Sequence, residues 1–278
     1  MTTMIPLLDV RKLSLVYPSR HTLFGKSTGV TRAVDEVSFF IQPGETLALV
    51  GESGSGKSSL ARAVLRLVEP TSGSILFDGA DVMALDRPAL RRMRRHMQIV
   101  FQDPGPALNP RMTVEALIRE GMDAHRIARG AEANNRVARL LDEVGLRNAD
   151  GARYPHELSG GQRQRVAIAR ALAVEPKLIV LDEALSALDV TVQGQVTELL
   201  AGLQRDRGLS YLFIAHNLAL VERIATRVAV MYLGRIVEHG AVTQLYASPT
   251  HAHTRALLDA VPVPDPRRHT TGTAHDRL

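Results

Sequence analysis

Eight consecutive residues, Gly51-Glu52-Ser53-Gly54-Ser55-Gly56-Lys57-Ser58, set three glycines ahead of a lysine and a hydroxyl. This is the spacing of a phosphate-binding loop, or P-loop. Glycines let the backbone bend until successive N–H groups point inward at one anion, and a following helix adds the positive end of its dipole. Lys57 would bring a full positive charge to the β- and γ-phosphates of a nucleoside triphosphate. The Ser58 hydroxyl would ligate Mg²⁺, with Ser59 next to it at the start of the helix.

A second cluster lies far downstream, where Leu178-Ile179-Val180-Leu181 reads as a buried strand ending on two carboxylates, Asp182 and Glu183. At the carboxyl edge of a parallel sheet these would emerge beside the loop. Asp182 would hold Mg²⁺, directly or through its waters. Glu183 would then orient and deprotonate an attacking water as general base. Taken alone, each cluster has an ordinary reading, a glycine-rich turn or an acidic helix cap. Together they point to a nucleoside triphosphatase.

The elements needed to position them are legible around them. Thr46-Leu47-Ala48-Leu49-Val50 is a compact apolar strand directly before the loop, and Ser59 to Val64 has a helical pattern after it. Short strands are expected at 13–16, 37–41, 75–77, 98–101, 178–181, 211–214 and 228–231. From about Asp103 to Pro176 the pattern is helical. Val192, Val196, Leu199, Leu200 and Leu203 share one helical face, with Gly208 as a stop. Strands alternating with helices imply an α/β core with a helical insertion. After about Ser248 four prolines and no aromatic residue argue against another packed domain; a docked helix over 254–260 and disorder from about Arg267 are expected.

Between the two clusters stands Leu158-Ser159-Gly160-Gly161-Gln162. Ser159 is placed to cap the next helix, and the glycines allow a close approach to an anion. This segment resembles the signature sequence of ABC (ATP-binding cassette) ATPases. The resemblance runs over roughly residues 7–262 and implies a P-loop ATPase core with an N-terminal antiparallel β region and an inserted α-helical subdomain at about 103–175, within a nucleotide-binding domain at 1–247 and ahead of a partly disordered extension at 248–278. It implies ATP and Mg²⁺ as cofactors. Gln102 looks like the Q-loop glutamine that reaches Mg²⁺ and the attacking water. Ser186-Ala187-Leu188-Asp189 is similar to the D-loop, whose Asp189 acts across a dimer interface, and His216 looks like the switch histidine on the γ-phosphate. Tyr17 resembles the aromatic residue that stacks on adenine; a plain core or edge-strand tyrosine is the alternative.

Within that family, Phe101 to Pro104, Leu108 to Val114, Arg153 to Glu157 and the tail from Ser248 to Pro266 look like peptide/nickel-type importer ATPases, most of all those for oligopeptides and dipeptides. The partners so implied are a second ABC ATPase subunit, identical or similar, two transmembrane permease subunits and an extracytoplasmic substrate-binding protein, with no nucleic acid. The place so implied is the cytoplasmic face of the inner membrane, reached through the permeases. An importer of nickel or another small solute and a soluble, non-transport ABC ATPase are the competing readings. One P-loop and one signature in 278 residues leave room for a single cassette, so the working unit is expected to be a pair. Ala184 stands where the family commonly has proline, and Asn217 where aspartate is common; both are expected to tune the rate.

Composition narrows the rest. No stretch of about 18 apolar residues is present to span a bilayer. Met1 to Val10 lacks the order of a secretory signal, which fits a cytoplasmic chain. Zero cysteines exclude disulfides, thiolate zinc sites and iron–sulfur clusters held by cysteine. A net charge of +5 permits anionic partners without requiring nucleic acid. Arg91, Arg92, Arg94 and Arg95 read as a solvated helix face, and His251 and His253 as incidental residues of a flexible tail.

Overall fold

Strands flanked by apolar residues on both faces can only be buried between two layers, and this dictates the centre of the structure. The computed structural model describes residues 5–18 and 30–260. Strands β1 (Leu8–Pro18) and β2 (Val30–Ile41) form an antiparallel pair, and β3 (Thr46–Val50) leads through the P-loop into α1 (Lys57–Val64). Strands β4 (Ser72–Phe77) and β5 (Ala80–Asp81) complete a four-stranded antiparallel sheet of order β2-β1-β4-β5. After α2 (Arg87–Arg94) comes β6 (Met97–Val100), and then a run of helices: α3 (Pro104–Ala107), α4 (Val114–His125), α5 (Gly130–Glu143) and α6 (Gly160–Leu172). The chain returns through β7 (Leu178–Asp182), α7 (Val190–Arg207), β8 (Ser210–Ala215), α8 (Leu218–Ile224), β9 (Arg227–Tyr232) and β10 (Arg235–Ala241). Two short helices, α9 (Val242–Ala247) and α10 (Ala252–Asp259), follow.

The second sheet has the order β10-β9-β3-β8-β7-β6, parallel throughout except for the β9–β10 hairpin. Alternation along its strands divides the core in two. Leu47, Leu49, Leu178, Val180, Leu212 and Ile214 pack with the antiparallel sheet and α1. Their neighbours Ala48, Val50, Ile179, Leu181, Tyr211 and Phe213 pack against the helices of the opposite layer. At about 25 cal/mol per Å² of apolar surface buried, such two-sided burial is what holds β3 and β7 side by side with β8.

The first strands are longer than the sequence pattern suggested, because β1 and β2 pair along most of their length through register shifts that absorb polar residues. The arginines of α2 differ from expectation as well. Arg94 donates to the Leu65 carbonyl at the end of α1, Arg95 to the Val174 carbonyl after α6, and Arg91 to the Ala124 carbonyl in α4. Guanidinium groups at helix ends satisfy carbonyls that have no intrahelical donor, so these side chains brace the fold instead of facing only solvent. The expectation of disorder from Arg267 falls outside the described residues.

Asp150 pins the turn between α5 and α6. It is 2% exposed, accepts from the Arg147 backbone N–H and the Arg153 guanidinium at 3.0 Å, and is flanked by a second guanidinium, that of Arg147. The Arg147 hydrogen bond first, with Arg153 and the Arg147 N–H adding to it, holds this carboxyl down at about 2. An unfolded aspartate titrates near 4, so the stabilisation is complete above about pH 4 and is lost as pH falls toward 2. Asp150→Asn should cost about 2 kcal/mol at neutral pH, and urea titrations should show the difference from wild type shrinking between pH 4 and 2.

Candidate functional site

The P-loop is held in shape by the strands around it. Gly51 and Gly56 have φ of 151° and 106°, and a Cβ on either would lie 2.2 Å from the Met231 carbonyl oxygen or 2.0 Å from that of Ala33. The end of β9 and the edge of β2 therefore press directly on the loop, and only glycine fits at those two points. The Gly234 N–H closes the arrangement by donating to the Ser55 carbonyl at 3.0 Å.

Lys57 begins α1 and is 4% exposed. Its ammonium donates to the carbonyls of Gly51 and Glu52, both at 2.8 Å. Burial pushes its pKa down, against the opposing pull of Glu183, Asp182 and Glu52. One residue on, the Ser58 hydroxyl donates to Asp182 Oδ1 at 2.7 Å, across 124 residues of sequence. Burial is also the main influence on Asp182 and raises its pKa, opposed by the Ser58 hydrogen bond. Both charges are thus disfavoured where they stand. An anion at Lys57 and a hard divalent cation at the Ser58–Asp182 oxygens would each relieve that cost, so these donors fit a Mg²⁺–phosphate group.

Glu183 follows β7 with a φ of 49°, a left-handed backbone uncommon for a side chain with a Cβ. Its N–H donates to the Ile214 carbonyl, and the Ser186 hydroxyl donates to the Glu183 carbonyl at 2.8 Å. Its carboxylate stands 3.8 Å from Nδ1 of His216, which is 57% exposed just past β8. Gln102 lies beyond β6 and, with Ser53, Gly54, Gly56, Lys57, Ser58, Ser59 and Glu183, lines one cleft of about 500 Å³. The structure therefore brings together the P-loop, the tip of β7 and the glutamine.

Other candidates lie apart from this cleft. Ser159 accepts from the Gln162 N–H at 3.3 Å, and the Gln162 side chain accepts from the Ser159 N–H at 3.0 Å, a reciprocal cap on α6 whose first turn carries Gly160 and Gly161. Asp189 caps α7, accepting from the Val192 N–H at 3.0 Å. Among the described residues, none of these five lines the cleft. Tyr17 pairs in register with Thr31 on the cleft rim but is half-buried against the core of the antiparallel sheet.

Residues 34–186, more than half of the chain, match the family described as ABC transporter. The chain belongs to the ABC transporter family. Two glutathione import ATP-binding proteins GsiA, from Salmonella paratyphi A and Shigella flexneri, are 53% identical over 264 residues and 52% identical over 263. Each alignment covers 95% of this chain but 42% of the relative, so the chain spans less than half the length of these proteins. Among solved structures, a dimeric post-hydrolysis state of the ATP-binding cassette MJ0796 bound to ADP and Pi superposes with a TM-score of 0.75 at 27% identity, covering 84% of this chain and 98% of that one. The cassette cbiO1 from Clostridium perfringens, part of the ABC transporter complex cbiONQ, gives 0.74 at 29% identity over 87% and 91%. The α/β architecture with its antiparallel sheet is thus that of an ABC cassette.

One departure from the ABC pattern has a structural consequence in view. Asn217 caps α8 by accepting from the Ala219 N–H at 3.1 Å, so the cap is made without placing a further negative charge beside His216. Ala184 is buried, and nothing in the structure explains its choice over proline. Sequence reasoning missed the far rim of the cleft, built from Thr31, Arg32, Ala33, Leu233 and Gly234. These come from β2 and the β9–β10 turn, and no local signature marks them.

The glycine geometry gives a graded test. Gly56→Ala should lower affinity for a magnesium nucleotide by more than about tenfold, because the new methyl meets backbone it cannot displace. Gly54→Ala, at φ 82° with open space around it, should lose only about fivefold through backbone strain. Titration calorimetry on both variants reads the difference.

Proposed function

We propose that the chain is an ATP-binding and ATP-hydrolysing subunit that energises a binding-protein-dependent ABC importer for oligopeptides or dipeptides. The observation that carries this reading is the hydrogen bond to Asp182 from Ser58, which lines the cleft together with Lys57, Gln102 and Glu183. P-loop N–H groups and Lys57 would hold the β- and γ-phosphates, and Tyr17 would meet the adenine from the rim. Ser58, Asp182 and Gln102 would hold Mg²⁺, which when bound neutralises charge on the phosphate oxygens. Glu183 would take a proton from the attacking water on its carboxylate while that water's oxygen bonds to the γ-phosphorus and the β–γ bridge breaks. His216, beside Glu183, would hold the γ-phosphate and orient that water.

A pair of cassettes follows from what lies outside the cleft. Ser159, Gly160, Gly161, Gln162 and Asp189 sit at outward helix starts and would complete the site of a second ATPase subunit. Permease contact is supported by a groove of about 330 Å³ between β6, α4 and α6, lined by Ile99, Phe101, Leu108, Gly121 and Ala171. Because Phe101 directly precedes Gln102, a partner seated there would feel the state of the nucleotide site. Two permeases and an extracytoplasmic binding protein would complete the importer, with this chain on the cytoplasmic face of the inner membrane. Among the described residues no helix is long and apolar enough to cross a membrane. Peptide cargo rests on the peptide-importer segments and on the relatives' name, since glutathione is a short peptide. We read residues 1–247 as the nucleotide-binding domain, with helices inserted over about 103–175, and 248–278 as an extension.

Glu183→Gln should keep MgATP affinity within about threefold and slow hydrolysis by at least about 100-fold in the assembled complex. Unchanged steady-state hydrolysis would overturn the general-base role. Co-expression with the permease subunits of a peptide importer should move the chain to the membrane fraction; recovery with ribosomes or DNA alone would contradict the transport reading.

A further inference from the structure

The C-terminal helix does not hang free. Glu238 of β10 accepts from the Thr250 N–H and hydroxyl, both at 2.8 Å, and from the His251 N–H at 3.0 Å, which fixes the start of α10. Burial alone would raise the pKa of Glu238, but the donors of Thr250 and His251 outweigh it and bring it to about 2. So anchored, α10 turns His253 inward until its side chain is 9% exposed. Its ring lies on Tyr232 with centroids 4.1 Å apart. Its Nδ1 is 3.9 Å from Oε1 of Glu52, and its Nε2 is buried with no hydrogen-bond partner among the described residues.

Both neighbours belong to the P-loop's surroundings. Glu52 is the second residue of the loop, and its carbonyl holds the Lys57 ammonium. Tyr232 ends β9, between Met231, which presses on Gly51, and Gly234, which bonds to Ser55. Among the described residues, His253 is the only basic side chain within 4 Å of the Glu52 carboxylate. A carboxylate on a loop built for a triphosphate repels that ligand, and a polar donor facing it draws the charge away.

We propose that His253 is a positioning residue for nucleotide binding: α10 latches onto the P-loop through Tyr232 and Glu52, and the His253 ring turns the Glu52 carboxylate away from the triphosphate. This rests on the reading of the cleft as a nucleotide site. Docking and undocking of α10 would then tune affinity without touching the hydrolytic residues. His253 thereby has a role that its place in the tail does not suggest.

The test is a thermodynamic cycle on the full chain, with MgADP and a non-hydrolysable MgATP analogue as probes in titration calorimetry. His253→Ala should weaken binding about two- to fivefold, the range of a partly exposed polar side-chain contact. His253→Gln, which keeps a donor of similar reach, should lie between it and wild type. In a Glu52→Gln background, affinity should no longer depend on residue 253. Because the Gln variant and the Glu52→Gln background read the same coupling, a poorly folded His253→Ala leaves the cycle intact. Equal affinities for His253 and its variants would overturn the proposal, and so would a loss that persists in the Glu52→Gln background, since that marks packing alone. Failure of wild type to bind either probe would instead sink the reading of the cleft, and the latch with it.

Discussion

The hydrogen bond from Ser58 to Asp182 joins the first turn of α1 to the tip of β7, and the site depends on it. Neither residue can reach the other unless β3 and β7 flank β8 in parallel register, with Val50 opposite Ala215 and Asp182 opposite Ile214. That register exists because all three strands are apolar on both faces and buried between two cores. A slip of one residue in β7 would exchange Leu181 with Asp182 and send a carboxylate into the core. Hydrophobic pairing, a bulk effect, thus sets the position of two oxygen atoms, a local one.

The loop itself is shaped from outside as much as by its own glycines. Met231 and Ala33 supply carbonyls against which Gly51 and Gly56 are seated, and Gly234 adds a hydrogen bond. The β9–β10 hairpin is therefore a back wall for the P-loop, and α10 reaches the loop by resting on it. Farther out, Ser159, Asp189 and Asn217 each cap a helix. Their short polar side chains fix where those helices start.

Much of this was legible in the sequence. The P-loop, the Asp182–Glu183 pair and the Ser159 cap are short runs whose spacing and flanking strands follow from local backbone rules, and each falls where that reading puts it. What escaped notice is what long-range packing decides. Leu233, Gly234 and Thr31 carry no sign that they meet the P-loop from strands far apart in sequence. Arg94 and Arg95 look like a solvated face because the carbonyls they cap belong to α1 and the end of α6. His253 looks like a tail residue because Glu238, its helix's anchor, is 15 positions away by number and on another element.

A metal-rescue experiment on Ser58 tests most directly whether the Ser58–Asp182 contact is a metal seat. Ser58→Cys replaces a hard oxygen by a soft sulfur without moving the main chain. With Mg²⁺ the variant complex should hydrolyse ATP at least about 50-fold more slowly than wild type, and replacing Mg²⁺ by Mn²⁺ should restore much of the lost rate. An equal loss with both ions, or no loss with Mg²⁺, would contradict direct ligation by residue 58 and the account built on it.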